Sequence, residues 1–219
     1  MHIYCINLER STKRRESALQ EFEREGLDVE FFRATDGKVE APENIFLTDA
    51  EWGCAMSHVR IWRDIVEKGY DTALVFEDDV ILNANFVSKL EKVLDNLPPD
   101  WDFVNLGAES ISRVDYKNYT DNLKVGQSLT THAYLIHSSH ARNISVINPN
   151  HLKDPIDTFL YRYPSYNLHL SKPIALQRNN DSIIGIARTY DIYFILKKIW
   201  VVIILILVLA YIYRKRIFG

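Results

Sequence analysis

The sequence TALVFEDDVIL, residues 72–82, joins a strand-like apolar block to three adjacent carboxylates, Glu77, Asp78 and Asp79. Two interpretations are open. In the first, the acidic residues end a buried strand at the solvent, where water screens their mutual repulsion. In the second, they bind a divalent cation, because clustered carboxylates repel each other unless a cation or protons neutralise them. Hard oxygen ligands of this kind suit Mg²⁺ or Mn²⁺.

The segments around this block alternate between strand and helix patterns. Ser11 can cap a helix that closes at Gly26, and the capping box Thr48-Asp-Ala-Glu51 opens a helix that closes at Gly69. Helix patterns cover residues 11–25, 48–68 and 83–97, and strand-like blocks cover 2–7, 29–34, 72–77 and 102–107. This alternation predicts an α/β domain with a largely parallel sheet.

Ligands of open α/β sheets bind outside the carboxyl ends of the strands. The acidic triplet 77–79 lies at such an end, and so do Asn7 and Arg10, which could contact the base, ribose or phosphates of a nucleotide. Neither strand is followed by a Gly-x-Gly-x-x-Gly or P-loop motif. The phosphates of a bound nucleotide would therefore need a metal ion.

Composition narrows the class of protein further. A chain of 219 residues can bury the hydrophobic core of one catalytic domain. Its formal net charge of −3 argues against a broad basic surface for binding nucleic acid. The two cysteines, Cys5 and Cys54, form neither a metal-type spacing nor a disulfide framework. Residues 108–127 are polar and without a clear period, which predicts an acceptor or lid loop.

An uncharged apolar run, IWVVIILILVLAYIY at 199–213, predicts a membrane-spanning helix over residues 193–213. It would follow a catalytic domain at 1–187 and a linker at 188–192, and precede a basic tail at 214–219. Because the N-terminus lacks a signal-peptide pattern, we expect a single-pass, tail-anchored protein whose catalytic domain faces the cytosol. The sequons at Asn118, Asn143 and Asn180 would then stay unused.

Six motifs occur in an order that resembles glycosyltransferase family 25 over residues 2–185. They are INLERSTKRR, EWGCAMSHVRIW, ALVFEDDVIL, LPPDWDFVNLG, THAYLIHSSHA and PIDTF. The resemblance implies a GT-A-like, Rossmann-like domain, a nucleotide-sugar donor that is usually UDP-galactose, and inversion at the anomeric carbon. The family includes bacterial lipooligosaccharide and collagen galactosyltransferases, so lipopolysaccharide or other glycan biosynthesis is implied as the setting. The region between Gly107 and Thr131 matches poorly, which leaves the acceptor open.

The resemblance and the chemistry of UDP-sugar cleavage assign the carboxylates. A cation would stabilise the departing diphosphate, with Asp79 as a metal ligand and Glu77 as a ligand of the metal or the ribose. Strand alternation predicts that Glu77 and Asp79 point to one side and Asp78 to the other. Asp78 either binds the metal or the ribose of the donor, or caps the strand.

Three further residues are candidates for the site. Inversion needs a base for the acceptor hydroxyl, and Asp157 is the candidate, with a helix N-cap after Pro155 as the alternative. His58 either donates to the diphosphate or is a packing histidine. Gln177 matches a family position and is assigned to the donor site through the resemblance.

The leading hypothesis is an inverting glycosyltransferase that uses Mn²⁺ or Mg²⁺ and moves a hexose to a glycan, glycolipid or glycoprotein at a membrane. Two alternatives stay open. A metal-dependent phosphoester hydrolase could use the same carboxylates, although the sequence lacks His-rich metal spacing. A non-catalytic relative could bind glycans or a partner at the membrane, although the acidic triplet is complete.

Overall fold

The structure is a computed structural model that describes residues 1–108 and 112–178. All of these residues belong to the first of the two units of the chain, Met1–Asp181. The second unit, Ser182–Gly219, lies wholly outside the described residues.

Strands and helices alternate in the first half of the chain, as the sequence predicts. In chain order the elements are β1 (His2–Asn7), α1 (Thr12–Glu25), β2 (Glu30–Arg33), α2 (Gly37–Glu40), α3 (Asp49–Lys68), β3 (Thr72–Glu77), β4 (Val80–Leu82), α4 (Phe86–Leu94) and β5 (Phe103–Asn105). The second half contains β6 (Arg113–Asn118), β7 (Leu123–Ser128), β8 (Ala133–His137), α5 (Ser138–Ile144), a 3-10 helix (Pro149–His151), α6 (Ile156–Arg162), β9 (Asn167–Leu170) and β10 (Ala175–Gln177).

The main sheet has eight strands in the order β2-β1-β3-β8-β5-β9-β7-β6. The pairings make six strands run in one direction, with β8 and β7 reversed. The predicted α/β class and the mostly parallel sheet are therefore confirmed. The reversed strand β8 lies in the centre, between β3 and β5, so the parallel block β2-β1-β3 is not continuous with the parallel pair β5-β9. A separate two-stranded sheet pairs β4 with β10 antiparallel.

Both faces of the sheet are covered by helices. On one face, Phe76 of β3 packs in a core with Phe22 of α1 and Phe86 of α4. On the other face, Val75 packs in a second core with Trp62 of α3 and Leu160 of α6. Because neighbouring strand residues point to opposite faces, an uninterrupted apolar strand such as β3 supplies both cores.

Local signals at the ends of α3 explain its bounds. Thr48 and Glu51 form the predicted capping box, in which each side chain bonds the backbone N–H of the other. Gly69 ends the helix at φ 70°, and Gly26 ends α1 at φ 68°, in the left-handed conformation that costs glycine little. Both predicted helix ends are confirmed.

Two parts of the chain differ from the sequence-based expectation. The predicted lid at 108–127 contains most of an antiparallel hairpin, β6 and β7, at the edge of the main sheet. Its strands are polar because β6 is largely exposed, so they lack the apolar signal of a buried strand. The helix predicted to reach Leu97 ends earlier, with α4 stopping at Leu94 and Asp95 as its C-cap.

Among the helices of residues 1–108 and 112–178, none is long and apolar enough to cross a membrane. The predicted span at 193–213 lies outside the described residues, as do the linker at 188–192 and the basic tail at 214–219.

Candidate active site

The acidic triplet lies where the carboxyl ends of β1 and β3 meet. Glu77 ends β3 and Val80 begins β4, so Asp78 and Asp79 form the turn between the two strands. Asn7, the last residue of β1, donates a hydrogen bond from Nδ2 to Asp78 Oδ2 at 2.7 Å. Because β1 and β3 are parallel neighbours, this bond fixes the acidic turn to the adjacent strand end.

Arg14 of α1 lies against the turn and contacts two carboxylates. Its Nη2 atom is 2.5 Å from Asp78 Oδ1 and 2.9 Å from Asp79 Oδ2. Burial raises the pKa of Asp78, while the charge of Arg14 and the hydrogen bond from Asn7 oppose that rise. One guanidinium is thus the counterion for two buried carboxyl groups.

Asp79 is the most deeply buried of the three acidic residues, with 2% of its surface exposed. Its Oδ2 atom also accepts a hydrogen bond from Gln177 Nε2 at 3.2 Å. Gln177 reaches this position because β10 pairs with β4, with Gln177 opposite Val80. Burial, with the negative charge of Glu77, raises the pKa of Asp79 to about 7.

Glu77 makes different contacts from its two neighbours. Its Oε1 atom accepts a hydrogen bond from Thr131 Oγ1 at 2.7 Å and lies 3.5 Å from His58 Nε2. Burial opposes its ionisation, but His58 and Thr131 outweigh that effect and lower the pKa of Glu77 to about 2. Glu77 is therefore ionised throughout the physiological range.

The contacts of the three acidic side chains differ from the prediction that Glu77 and Asp79 point to one side and Asp78 to the other. Asp78 and Asp79 share Arg14, whereas Glu77 lies with Thr131 and His58. The expected grouping of Glu77 with Asp79 is wrong in this respect, because the strand ends at Glu77 and the next two residues form a turn. Side chains alternate only while the backbone stays extended.

Asp157 lies in the first turn of α6, and the N-cap of this helix is Pro155. The Asp157 carboxylate accepts the backbone N–H of Thr158 at 2.7 Å, so the residue is not the N-cap that the alternative interpretation expects. Burial raises the pKa of Asp157, and the negative charge of Glu77 adds to that rise. Asp157 is thus a half-buried carboxyl group within electrostatic range of the acidic turn.

Arg10 lies at the rim of a cleft of about 370 Å³ beyond the carboxyl ends of β1 and β2. It forms an ion pair with Asp36, which also lines this cleft. The apolar part of the lining comes from Leu8, Ala34 and Val39. The cleft combines an apolar surface with charged groups of both signs at the rim.

The loops around the carboxylates are held by Asn105 at the end of β5. Its Oδ1 atom accepts from the backbone N–H groups of Gly107 and Ala108, and its Nδ2 atom donates to the carbonyls of Leu129 and Thr130. The second of these loops leads into Thr131, the partner of Glu77. Asn105 therefore holds the loop that carries Thr131, and through Thr131 it helps to position Glu77.

The turn has the donor set of a hard divalent cation. Asp79 Oδ1 is buried and has no hydrogen-bond partner among the described residues. A buried carboxylate oxygen without a partner is costly, and burial raises the pKa of Asp79 to about 7 although Arg14 lies beside it. Mn²⁺ or Mg²⁺ would fit these oxygens, with Asp79 as the first ligand.

Comparison with known proteins identifies the family. Residues 1–160 match the family described as glycosyltransferase family 25 (LPS biosynthesis protein). The chain belongs to glycosyltransferase family 25. All the residues considered above, except Gln177, lie within the matched range.

The curated relatives of this chain include a galactosyltransferase and a protein described as inactive. A glycosyltransferase 25 family member of Aedes aegypti is 31% identical over 182 residues, which is 73% of this chain and 30% of the relative. The human procollagen galactosyltransferase 2 is 26% identical over 183 residues, 72% of this chain and 29% of the relative. The human inactive glycosyltransferase 25 family member 3 is 32% identical over 120 residues, 52% of this chain and 20% of the relative. The chain thus spans less than a third of the length of these curated relatives.

A solved structure is similar to this family 25 chain at the level of the fold. A glycosyltransferase involved in the glycosylation of the major capsid of PBCV-1 superposes with a TM-score of 0.53 at 11% identity. The superposition covers 83% of this chain and 93% of that one. The expected glycosyltransferase-like α/β architecture is therefore present.

Arg14 is the main site residue that the sequence reasoning for this family 25 chain missed. It stands in a run of three basic residues, Lys13 to Arg15, of which the flanking two are exposed. The helical spacing contains the signal, because Ala18 and Phe22, four and eight residues later, are fully buried on the same face of α1. Thr131 and Asn105 are contacts between distant segments and leave no comparable signal in the sequence.

Proposed function

We propose that this chain is an inverting, metal-dependent glycosyltransferase that moves a hexose, galactose in the first instance, from a UDP-sugar to a hydroxyl group. The observation that carries the proposal is the buried, unpartnered Oδ1 of Asp79 beside Arg14, at the carboxyl edge of the sheet in a family 25 chain. A cation bound there would bridge the protein to the donor diphosphate.

The nucleoside of the donor would occupy the cleft beyond β1 and β2. The apolar lining from Leu8, Ala34 and Val39 suits the face of a base, and the charged pair Arg10 and Asp36 suits polar groups of the base or ribose. Asn7 directly precedes Leu8 of the cleft lining and donates a hydrogen bond to Asp78 in the acidic turn. The diphosphate would then extend toward the carboxylates.

Positive charge is needed where the diphosphate departs, since negative charge builds there in the transition state. Mn²⁺ or Mg²⁺, when held by these carboxylates, would supply that charge as a Lewis acid. Asp79 would be the first ligand, and the adjacent carboxylates of Asp78 and Glu77 would complete the ligand set or bind the ribose. Arg14 stands beside Asp78 and Asp79, and its guanidinium adds positive charge next to the proposed path of the leaving group.

The acceptor hydroxyl has to lose its proton as it attacks, and Asp157 is the proposed base. Burial raises the pKa of Asp157, which makes its carboxylate a stronger base than that of an exposed aspartate. The half-buried carboxylate keeps its first-turn bond to Thr158, which fixes its orientation.

The acceptor would be a glycan, glycolipid or glycoprotein. The name of the human relative, procollagen galactosyltransferase 2, favours a glycoprotein. If residues 193–213 span a membrane, the catalytic domain faces the cytosolic surface, and a membrane-bound acceptor is within reach. His58 contributes by orienting Glu77 from its buried position on α3.

The test is turnover of a panel of UDP-sugars by the full-length chain, with Mn²⁺, with Mg²⁺ and with a chelator. We expect hydrolysis or transfer of UDP-galactose that depends on the cation. UDP binding without turnover of any donor would favour a non-catalytic role, for which the inactive human relative is the precedent. Cleavage of simple phosphoesters with no transfer to any acceptor would favour the hydrolase alternative.

A further inference from the structure

A cluster of three different metal-binding side chains lies where α3 meets the end of β3. Cys54 and His58 are four residues apart on α3 and so share one face of the helix. Glu77 ends β3 opposite them. The thiol sulfur, a ring nitrogen and a carboxylate oxygen of these residues all lie within 4.8 Å of one another.

His58 supplies a second, independent observation. Its side chain is 0% exposed, and its Nε2 atom has no hydrogen-bond partner in the part of the chain that the structure describes. The Glu77 Oε1 atom is 3.5 Å away from this nitrogen. A buried ring nitrogen is normally hydrogen-bonded, and this one faces the Glu77 carboxylate without hydrogen-bond geometry, so a cation between the nitrogen, the carboxylate and the thiol would satisfy it.

The groups around the cluster hold its members in place. His58 Nδ1 lies 2.9 Å from the Tyr134 hydroxyl, which also accepts a hydrogen bond from Trp62 Nε1 at 3.1 Å. On the other side, Thr131 donates to Glu77 Oε1 at 2.7 Å. Metal-binding histidines and carboxylates characteristically have outer partners of this kind, which fix the ring and the carboxylate.

We propose that Cys54, His58 and Glu77 form a binding site for a thiophilic divalent cation, with Zn²⁺ as the best match. Thiolate, imidazole and carboxylate together are zinc ligands, whereas Mg²⁺ and Mn²⁺ prefer an all-oxygen set. On binding, the Cys54 thiol releases its proton to solvent, and His58 Nδ1–H donates to the Tyr134 oxygen. Cys54 and Glu77 keep part of their surface exposed, whereas His58 between them on the ligand face is fully buried.

This site differs in chemistry from the oxygen site at Asp79 and does not depend on transferase activity. The two sites share Glu77, whose carboxylate can serve either one. Zn²⁺ at the cluster would therefore connect α3 directly to the end of β3, next to the turn at Asp78 and Asp79.

The experiment is a titration of the full-length, chelator-treated chain with Co²⁺, which reports a sulfur ligand through a thiolate-to-cobalt charge-transfer band. We expect the band at one Co²⁺ per chain and its loss on addition of Zn²⁺. Cys54→Ala should abolish it. Cys5→Ala is the matched control, because Cys5 is the only other cysteine and lies fully buried in the core on the opposite face of the sheet.

A second variant tests the outer partner without touching a ligand. Tyr134→Phe should leave the band in place and weaken Co²⁺ binding by roughly 10- to 100-fold, since it removes the hydroxyl that orients His58. The proposal is overturned if the parent chain shows no charge-transfer band, or if the band persists in Cys54→Ala. Either result would mean that the His58 Nε2–H group faces the Glu77 carboxylate, and that His58 only positions Glu77.

Discussion

Arg14 and Asp79 form a buried ion pair, with 2.9 Å between Nη2 and Oδ2, at the edge of the sheet where the proposed donor site lies. The same guanidinium contacts Asp78. The pair thus links α1 to the turn between β3 and β4, and it is the internal counterion of a turn that we propose to bind a divalent cation.

Replacing Arg14 tests the role of this counterion in stability. In the absence of metal at pH 8, Arg14→Ala should lower the free energy of unfolding by about 3–5 kcal/mol, the usual cost of removing one partner from a buried ion pair. Urea unfolding measures it. Mn²⁺ should restore more stability to this variant than to the parent chain, because the cation replaces the lost charge.

Arg15→Ala is the matched control for Arg14→Ala. Arg15 is the next residue on α1, but it is exposed, and its guanidinium carbon lies over the ring of Phe31, 3.9 Å from the centroid. Its loss should cost no more than about 1 kcal/mol. Equal effects of the two substitutions would contradict the assignment of Arg14 to the buried carboxylates.

The raised pKa of Asp79 makes a prediction about pH. The pKa of Asp79 is about 7 in the folded protein against an ordinary value of 3.8, so between these pH values the unfolded chain loses this proton first and the folded state loses stability as the pH rises. Asp79→Asn removes that cost. Without metal, the variant should gain stability relative to the parent as pH rises from 5 to 8, as measured by urea unfolding at both values.

The control for this pH effect is Asp100→Asn, because Asp100 is exposed. Its stability difference from the parent should stay constant between the two pH values. A constant difference for Asp79→Asn as well would show that Asp79 ionises normally in the folded protein. The argument for an uncompensated buried carboxylate would then fail.

Substitution of Asp157 separates a general base from a structural residue. Asp157→Asn keeps the oxygen that accepts the Thr158 N–H, so we expect a stable protein with unchanged donor binding. Turnover should nevertheless fall by on the order of a hundredfold or more, because an amide cannot take the acceptor proton. Steady-state kinetics and donor titration on the same sample measure both quantities.

Asp154→Asn is the companion variant, since Asp154 is two residues before α6 and forms an exposed ion pair with Arg162. It should retain near-normal turnover. If Asp157→Asn is equally active, Asp157 has no part in proton transfer and its carboxylate serves only the first turn of α6.

Much of the first half of the fold was predictable because local signals decide it. The capping box at Thr48, the terminal glycines and the uninterrupted apolar block 73–76 specify α3, its end and the central strand. The acidic residues at the end of that strand, and Asn7 at the end of the first, follow from the same pattern. In a parallel block such ends must meet, so part of the candidate site was also predictable.

Long-range pairings decide what the sequence did not predict. Only the family resemblance assigned Gln177 to the site. Its contact with Asp79 depends on the pairing of β10 with β4, two strands that are about ninety residues apart and share no local signal. The hairpin of β6 and β7 is polar because it lies at the sheet edge. The split between Glu77 and the two aspartates depends on the residue at which the strand becomes a turn, and strand ends are the least certain part of any pattern.

The predicted membrane helix can be tested apart from the catalytic domain. A reporter fused to residues 188–219 should stay in the membrane pellet after alkaline carbonate extraction. The matched control carries Leu205→Asp and Leu207→Asp, which at mid-span cost about 2.5–3.5 kcal/mol each and should release the reporter. Release of the unmodified fusion would contradict the span, and glycosylation at Asn118 or Asn143 in the full-length protein would contradict the cytosolic orientation.

The central claim is that Asp79 holds a divalent cation that binds the donor diphosphate. Calorimetric titration of the full-length chain with UDP tests it most directly, in Mn²⁺ and in chelator, for the parent and for Asp79→Asn. The account predicts UDP binding by the parent in Mn²⁺, little or none in chelator, and weakened binding by Asp79→Asn in Mn²⁺. Equal UDP affinity with Mn²⁺ and with chelator, or full affinity in Asp79→Asn, would contradict it.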